Sequence, residues 1–245
     1  MDQLINLIQN HPYLSQTLPD LKTVEKNIRL YQHLQRFLIA KQNDSTAAFK
    51  KLLRYHKWYD QLVIPSFDSI VEQIDTGKVM LIPHKDANEK LVLIIKASKH
   101  QAKKDQHDQV MDLVTRCCFY IVKHAMNNVI MIVDLDSFGF SNLDMGLPKK
   151  IGKFTTMYFP SYIDQLLFIN ASFLAMTTWK LIKPLVPDKH LRRIDFIDHT
   201  TQLKNQQGVN LEQMPLLYGG QWNVSEEEWL EFTKKEFQEV DKIRY

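Results

Sequence analysis

Hydrophobic positions in the N-terminal part of the chain recur every three or four residues. They are Ile28, Tyr31, Leu34 and Leu38 in one segment, and Ala48, Phe49, Leu52, Leu53 and Tyr59 in the next. This spacing predicts amphipathic helices. Asp44 or Ser45 is suited to cap the second helix, because a short polar side chain accepts a hydrogen bond from the first free N–H groups. We predict an all-helical region up to about Leu62, after which Pro65 interrupts the pattern.

Beyond Pro65 the hydrophobic pattern changes to short apolar runs. Two of them, KVMLIP and KLVLIIKAS, flank a polar turn from His84 to Glu89 and predict a pair of strands. Three further runs, NVIMIVDLDSF, DQLLFIN and RRIDFI, alternate with helical segments, and a short helix is predicted from Thr200. This alternation favours an α/β sheet with parallel members. The segment EEEWLEFTKKEFQEVDK predicts an amphipathic helix at the end of the chain.

The segment from Ser172 to Lys183 predicts a helix with very little polar surface. At about 100° per residue its apolar rows are Leu174, Thr178, Leu181 and Leu185, and then Ala175, Trp179, Ile182 and Val186. Lys180 and Lys183 share a narrow polar stripe with Met176 and Thr177. The helix would be about 18 Å long, well short of the ~30 Å hydrocarbon core of a membrane. Two interpretations stay open: a helix packed between the sheet and another helix, or a lid between a cavity and a membrane surface.

Composition adds only weak constraints. The chain has 245 residues, 44% of them hydrophobic, so a single domain of this length needs no disulfide or metal to stabilise its core. A net charge of +3 is compatible with an anionic membrane surface and too small to indicate nucleic acid. The two cysteines, Cys117 and Cys118, are neighbours, and we expect reduced thiols in a helix. With no signal peptide and no run long enough to span a bilayer, we expect a cytoplasmic protein.

One motif suggests an enzyme. The run VIMIVDLDS resembles the start of haloacid-dehalogenase phosphatases, in which Asp134 would be the nucleophile and Asp136 the acid/base, with Mg²⁺ held between them. That motif normally opens its domain, whereas about half of this chain precedes it, and no later GDxxxD pattern follows. We interpret the two acids as residues that end a strand and cap the next loop.

Other catalytic and metal motifs are missing from the sequence. It contains no GxGxxG, GxxxxGK[ST], HExxH or GxSxG pattern, and His100 and His107 near Asp105 and Asp108 form only a weak metal candidate. We therefore expect a protein that is not an enzyme, with no catalytic residue, no metal and no cofactor.

Four stretches, taken in order, resemble one family. They are LQRFLIAKQNDSTAAFKKLLRYHKW, then VIMIVDLDSFGFS, then YFPSYIDQLLFIN followed by SFLAMTTWKLIKPLV, and finally MPLLYGG at Met214–Gly220. Together they are similar to the signatures of the CRAL-TRIO, or Sec14-like, lipid-transfer domains, at plausible spacings over most of the chain.

The resemblance implies a fold and a function. It implies a helical N-terminal lobe at residues 1–65, a CRAL-TRIO lipid-binding domain at residues 66–222, and a C-terminal helix at residues 223–245. A mixed, mostly parallel sheet would floor an apolar cavity, and the helix from Ser172 would be a gate that covers the cavity and opens at a bilayer. The expected ligand is a phospholipid, sterol or isoprenoid-type lipid, which the protein would transfer between membranes as a peripheral cytoplasmic protein.

The resemblance also implies site residues. Those expected to line the lipid cavity are Met111, Val114, Thr115, Cys118, Met131, Val133, Ile151, Phe154, Thr155, Phe159, Leu166, Phe168, Phe173, Leu174, Thr177 and Trp179. Those expected near a headgroup phosphate are Lys41, Arg192 and Arg193, whereas Asp164 would repel phosphate. The family's proline after Asn170 is missing, but Asn170 or Ser172 remains able to cap the gate helix.

Plain packing remains an alternative for each of these residues. Apolar side chains at core spacing are usually part of the core, and the three threonines can bond to carbonyls of their own helices. If Phe154, Phe159, Phe168 and Phe173 fill the cavity, the protein would instead be a membrane-tethering or adaptor module.

Overall fold

The computed structural model divides the protein into two compact units. It describes residues 1–18, 21, 24, 26–83, 90–124, 128–186, 188–197, 203, 206 and 208–240. The first unit comprises Met1–Ile64 and Lys150–Tyr162, and the second comprises Pro65–Lys149 and Ile163–Asp241. The predicted turn at His84–Glu89 and the helix predicted from Thr200 lie outside the described residues. The predicted division into three parts, residues 1–65, 66–222 and 223–245, stays a prediction.

The first unit is helical, as its hydrophobic spacing predicts. Its helices are α1 (Asp2–Gln9), α2 (Leu14–Thr17), α3 (Ile28–Ala40), α4 (Ser45–Gln61) and the part of α7 (Leu147–Tyr158) that follows Lys149. Of the two candidate caps for α4, Asp44 is the residue used, and its carboxylate accepts the backbone N–H of Ala47 at 2.9 Å. Indole and phenol rings of Trp58 and Tyr158 stack with centroids 3.9 Å apart, so α4 and α7 pack directly against each other.

Two histidines lie inside the core of the first unit. His33 on α3 and His56 on α4 are buried, and their ring centroids are 5.7 Å apart. Burial, followed by the charges of His56 and Arg36, lowers the pKa of His33 well below its ordinary value. Burial lowers the pKa of His56 to about 4, although the nearby Asp60 carboxylate acts in the opposite direction. Both rings are therefore neutral in the folded protein at neutral pH.

These pKa shifts predict acid sensitivity. In the unfolded chain His56 has the ordinary histidine pKa of 6.5, whereas in the folded protein its pKa is about 4. Between these two pH values the unfolded chain binds a proton that the folded protein does not bind. The free energy of unfolding therefore falls as the pH decreases from 6.5 to about 4. A shift of this size corresponds to a loss of about 3 kcal/mol by the lower end of the window. Urea unfolding midpoints measured across this window should show the loss. In His56→Phe, whose ring binds no proton, the midpoint should depend less on pH; an equal pH dependence in both proteins would contradict the prediction.

The second unit contains a five-stranded mixed sheet with flanking helices. Its elements are α5 (Phe67–Asp75), β1 (Val79–Leu81), β2 (Leu91–Lys96), α6 (His107–His124), β3 (Val129–Asp134), the first residues of α7, β4 (Ile163–Ile169), α8 (Phe173–Ile182), α9 (Asp188–Leu191), β5 (Ile194–Ile197) and α10 (Glu226–Gln238). The strands follow the order β1-β2-β3-β4-β5; β1 and β2 are antiparallel and every later pair is parallel. The α/β prediction is confirmed.

The structure contains one helix, α5, that the sequence analysis did not predict. Pro65 suggested the end of the helical region, but Ser66 immediately caps a new helix by accepting the N–H of Ser69 at 3.2 Å. Ile70 and Ile74, one turn apart, are its completely buried side chains. A helix of nine residues offers too few apolar repeats for its period to be recognised.

The two faces of the sheet are covered to different extents. The first face is formed by fully buried side chains of the central strands, among them Ile130, Ile132, Leu167 and Ile169, packed with Met214, Tyr218 and Trp229 from the C-terminal segment. Helix α10 is fixed to the edge strand by Trp229, whose indole N–H donates to the carbonyl oxygen of Leu81 at 2.6 Å. The first face is therefore an ordinary hydrophobic core, and the second face contains the candidate site.

Candidate functional site

Helix α8 begins directly after strand β4 in the second unit. Ser172 caps it by accepting the backbone N–H of Ala175 at 3.3 Å, as one of the two predicted caps. Its N-terminal neighbour Asn170 adopts a positive φ of 55°, which turns the chain out of the strand. The missing family proline is thus replaced by an asparagine turn followed by a serine cap.

The outer side of α8 exposes hydrophobic side chains. Phe173 is 88% exposed and Leu181 is 73% exposed, and at about 100° per residue they lie about 80° apart around the helix. Thr177 and Lys180, also exposed, occupy the same side. Large exposed hydrophobic groups on one side of a helix are typical of a surface that meets another apolar phase.

The inner side of α8 contacts the second face of the sheet. Ala175 is the one buried residue of this helix, and Trp179 is only partly buried. The Trp179 ring lies 6.2 Å from the ring of Phe168 on β4 and 5.5 Å from that of Phe196 on β5. The helix therefore rests on aromatic rings and is not embedded in the core.

The second face of the sheet is less well covered than the first. Central-strand side chains Met131, Val133, Leu166 and Phe168 share this face by register, and each is only partly buried. Central strands of an α/β sheet are normally covered on both sides. An apolar surface that remains partly exposed beneath a lightly packed helix is suited to contact an apolar ligand.

Predicted cavity residues on α6 differ in burial. Met111 and Val114 are partly exposed, whereas Thr115 and Cys118 are buried. Both Cys118 and its neighbour Cys117 are free thiols, and burial raises the pKa of Cys117 to about 12. These thiols are protonated at neutral pH and chemically unreactive.

The three threonines proposed as polar contacts all bond within their own helices. Thr115 donates to the carbonyl of Met111 at 2.8 Å, Thr155 to that of Ile151 at 2.9 Å, and Thr177 to that of Phe173 at 2.9 Å. Each hydroxyl is thus satisfied without a ligand.

Four of the predicted cavity residues, Ile151, Phe154, Thr155 and Phe159, belong to the first unit. Phe154 and Phe159 form an aromatic cluster with Trp58, with centroids 5.8 Å from the indole in both cases. Phe159 is buried there, whereas Ile151, Phe154 and Thr155 are partly exposed. Whether the predicted residues of either unit line a cavity stays a prediction.

The predicted phosphate residues occupy different environments. The guanidinium of Arg193 donates to the backbone carbonyl of Ile163 at 2.6 Å and so connects β5 to the start of β4. Arg192 and Lys41 are exposed. Asp164, expected to repel phosphate, pairs with Lys90 at 2.6 Å. Arg193 therefore has a structural contact that the sequence did not reveal, and its role with a headgroup stays a prediction.

Both carboxylate oxygens of Asp134, the nucleophile in the phosphatase interpretation, accept hydrogen bonds from other parts of the second unit. One carboxylate oxygen accepts the Tyr218 hydroxyl at 2.7 Å, and the other accepts the Asn170 side-chain amide and the backbone N–H of Asp136, each at 2.9 Å. Burial, followed by the charge of Asp134, raises the pKa of Tyr218, so its hydroxyl remains a donor. The carboxylate connects the ends of two strands to the C-terminal loop.

The two histidines of the weak metal candidate share a carboxylate from a later segment. His107 and His100 approach Asp144 at 2.7 Å and 3.4 Å. Asp144 also accepts the N–H groups of Gly146 and Leu147 at the start of α7. Among the described residues no group of three or more His, Cys, Asp or Glu side chains is placed to hold a metal ion.

A mixed sheet whose second face lies under a lightly packed apolar helix, together with a separate helical unit, defines a Sec14-like α/β protein. The CRAL/TRIO domain model matches residues 75–220, which is more than half of the chain. The chain therefore belongs to the CRAL/TRIO family, whose members bind lipids.

Two individual relatives agree with this assignment. The crystal structure of Sfh5 aligns with a TM-score of 0.60 at 13% identity, covering 95% of this chain and 96% of that one, and this likeness shows the fold. Human tyrosine-protein phosphatase non-receptor type 9 is 22% identical over an alignment of 173 residues, and the match covers 66% of this chain but only 28% of that protein. In the part of the chain that the structure describes, no helix has the length and hydrophobicity needed to cross a bilayer.

Proposed function

We propose that this protein holds a lipid against the second face of its sheet and exchanges it with membranes when α8 moves away. The observation that carries this proposal is the two-sided helix: Trp179 rests on Phe168 and Phe196, while Phe173 and Leu181 are exposed on the opposite side. A helix of the core would bury its apolar side chains, whereas this helix has one apolar side on the sheet and another in solvent. This arrangement is typical of a movable gate over a ligand site.

The energetics of lipid transfer require such a device. A two-chain lipid has about 30 methylene groups, and each is worth ~0.8 kcal/mol when removed from water, so release into water would cost roughly 25 kcal/mol. Exchange must therefore occur at a membrane. A bilayer that binds the exposed side of α8 favours the open state, because it stabilises that state and not the closed one.

The proposal places the protein in the cytoplasm, with a transient peripheral contact to membranes and no enzymatic activity. The hydrogen bonds that Tyr218, Asn170 and the Asp136 backbone make to Asp134 support a structural role for this carboxylate. The adaptor alternative, with a filled cavity, receives less support, because Phe173, one of its four filling residues, points into solvent.

Native mass spectrometry of the purified protein tests the proposal. We expect a co-purifying lipid of phospholipid, sterol or isoprenoid type, and uptake of fluorescent lipid from donor vesicles followed by delivery to acceptor vesicles. A protein that carries no lipid and takes up none would support the adaptor alternative. Magnesium-dependent phosphate release that is lost in Asp134→Asn would instead support the phosphatase.

A further inference from the structure

Four exposed hydrophobic side chains of the second unit lie outside α8, on two separate loops. Phe140, which is 80% exposed, and the exposed Met145 belong to the loop that joins β3 to α7. Leu216 and Leu217 are neighbours in the turn before Tyr218, and they are 57% and 67% exposed. We call these four side chains the apolar rim. Large apolar side chains that stay exposed in groups are typical of interaction surfaces.

Both loops of the apolar rim lie at the carboxyl end of strand β3. The first loop begins directly after Asp134, the last residue of this strand. The second loop is connected to the same residue, because the Asp134 carboxylate accepts the Tyr218 hydroxyl at 2.7 Å. Strand β4 runs parallel to β3, and the exposed Phe173 of α8 follows its carboxyl end. The apolar rim therefore lies at the edge of the sheet from which α8 starts.

The loop that contains Phe140 is fixed by a buried asparagine. The side-chain amide of Asn142 donates to the backbone carbonyls of Ser98 and His100 at 3.0 Å and 2.7 Å. The amide oxygen accepts the backbone N–H of Gly139 at 2.8 Å. These bonds hold the loop on the segment after β2 while Phe140 stays exposed. Because the loop is already fixed, it loses little conformational freedom when Phe140 contacts a partner.

The turn that contains Leu216 and Leu217 is also constrained. The backbone N–H of Tyr218 donates to the Pro215 carbonyl at 2.9 Å, and that of Leu216 donates to the Trp222 carbonyl at 3.0 Å. Tyr218 itself is completely buried. Turning the two leucines inward would break these bonds and withdraw Tyr218 from the core. The exposure of the leucines is therefore a consequence of the fold.

Exposed lysines flank the loop between β3 and α7. Lys103 and Lys104 follow Ala102, whose backbone N–H donates to the Ser141 carbonyl at 3.0 Å, and Lys149 lies in the first turn of α7. None of these lysines forms an ion pair with an acidic side chain of the described residues. Ammonium groups beside exposed apolar side chains are suited to the headgroup layer of a membrane.

We propose that the apolar rim is a fixed membrane-docking edge, which inserts into the bilayer interface before α8 opens. This inference rests on the proposed lipid exchange and adds to it a docking step that needs no movement of α8. The rim consists of separate projecting side chains, and a fluid bilayer can surround each of them, whereas a protein partner would need a matching pocket for each. The exposed carboxylates of Asp105 and Asp136 offset part of the lysine charge, so apolar insertion supplies most of the binding.

Vesicle flotation tests the docking edge. We expect Phe140→Glu/Leu217→Glu to bind vesicles of phosphatidylcholine and phosphatidylserine about tenfold more weakly than the natural sequence, or worse, because two apolar groups no longer insert. The control Val63→Glu changes an exposed apolar residue of the first unit and should bind normally. Equal binding by the natural sequence and the rim variant would overturn the proposal. So would an absence of vesicle binding by the natural sequence, which would indicate a protein partner for the rim.

A fluorescent label provides a second measurement that does not depend on weakened binding. Cys117 and Cys118 are buried, so a cysteine introduced by Phe140→Cys can be labelled selectively with an environment-sensitive dye. Addition of vesicles should shift the dye emission to shorter wavelength, because the dye enters an apolar phase. The same dye on Val63→Cys should not respond. An unchanged emission at Phe140→Cys would contradict insertion.

Vesicle concentration separates docking from the movement of α8. If the rim only docks the protein, lipid transfer by Phe140→Glu/Leu217→Glu should be slow at low vesicle concentration and return to the normal rate at saturating concentration. A transfer rate that stays low at saturation would place these residues in the opening step and overturn the docking role. Vesicle binding through the rim by a protein that exchanges no lipid would instead contradict the proposed function and leave the docking edge in place.

Discussion

Phe173→Glu/Leu181→Glu is expected to reduce lipid transfer between vesicles by at least about tenfold while the thermal unfolding midpoint stays unchanged. These side chains are 88% and 73% exposed, so their replacement removes little packing from the folded protein. According to the proposed gate mechanism, they enter the apolar phase when α8 opens at a membrane. Burial of one such side chain is worth about 1.5–3 kcal/mol, and burial of two about 3–6 kcal/mol.

A control variant on another exposed apolar residue makes this result specific. Val63 lies in the first unit, is 85% exposed, and has no part in α8, so Val63→Glu should transfer lipid at the normal rate. If the α8 double variant transfers lipid normally, its outer side does not meet the bilayer. If it unfolds at a markedly lower temperature, these side chains contribute to the packing of the folded protein and do not form an exposed surface.

Much of the second unit could be predicted because its signals are local. A buried parallel strand is a continuous apolar run, which VIMIVD shows clearly, and β3 occupies Val129–Asp134. Helix α8 was predictable from two local features, its unusual hydrophobicity and the Ser172 cap. Helix α5 was missed because Pro65 suggested the end of the helical region and because a helix of nine residues offers too few apolar repeats for its period to be recognised.

Side-chain pairing could not be predicted, because it depends on residues that are distant in sequence. Asp134 and Tyr218 are separated by 84 positions, and Arg193 reaches a carbonyl 30 positions earlier. Nothing in the periodicity of either segment indicates these partners. The same limitation applies to the helical unit, where Lys51 and Thr156 are 105 positions apart and only the folded chain brings α4 and α7 together.

The segment Met214–Gly220 illustrates how a family motif can stabilise the fold through both packing and hydrogen bonds. Met214 and Tyr218 are completely buried, and the Tyr218 hydroxyl binds Asp134 at the end of β3. The Met214 carbonyl accepts the backbone N–H of Trp222 at 2.9 Å, and the Pro215 carbonyl accepts the backbone N–H of Gly220 at 3.2 Å. The chain therefore folds back on itself so closely that Gly220 lies directly against the Met214 backbone.

Gly220→Ala is accordingly expected to destabilise the protein by about 3 kcal/mol or more. A Cβ atom at Gly220 would overlap the carbonyl oxygen and the Cβ of Met214, which are not at the end of a flexible side chain and so cannot easily move. Relief of the overlap would require the Met214 carbonyl to shift, which would weaken its bond to Trp222 and displace a buried core residue. The free energy of unfolding from urea titration measures this loss.

Two other glycines provide matched controls for this substitution. Gly219 has a φ of 76°, so Gly219→Ala should cost about 1 kcal/mol through backbone conformation. Gly152 lies in a helix with open space around it, so Gly152→Ala should be neutral or stabilise by up to about 1 kcal/mol. We therefore expect Gly152→Ala to be the most stable of the three variants, Gly219→Ala to be intermediate and Gly220→Ala to be the least stable. If Gly220→Ala is as stable as the natural sequence, the loop is not packed as tightly against Met214 as these contacts require.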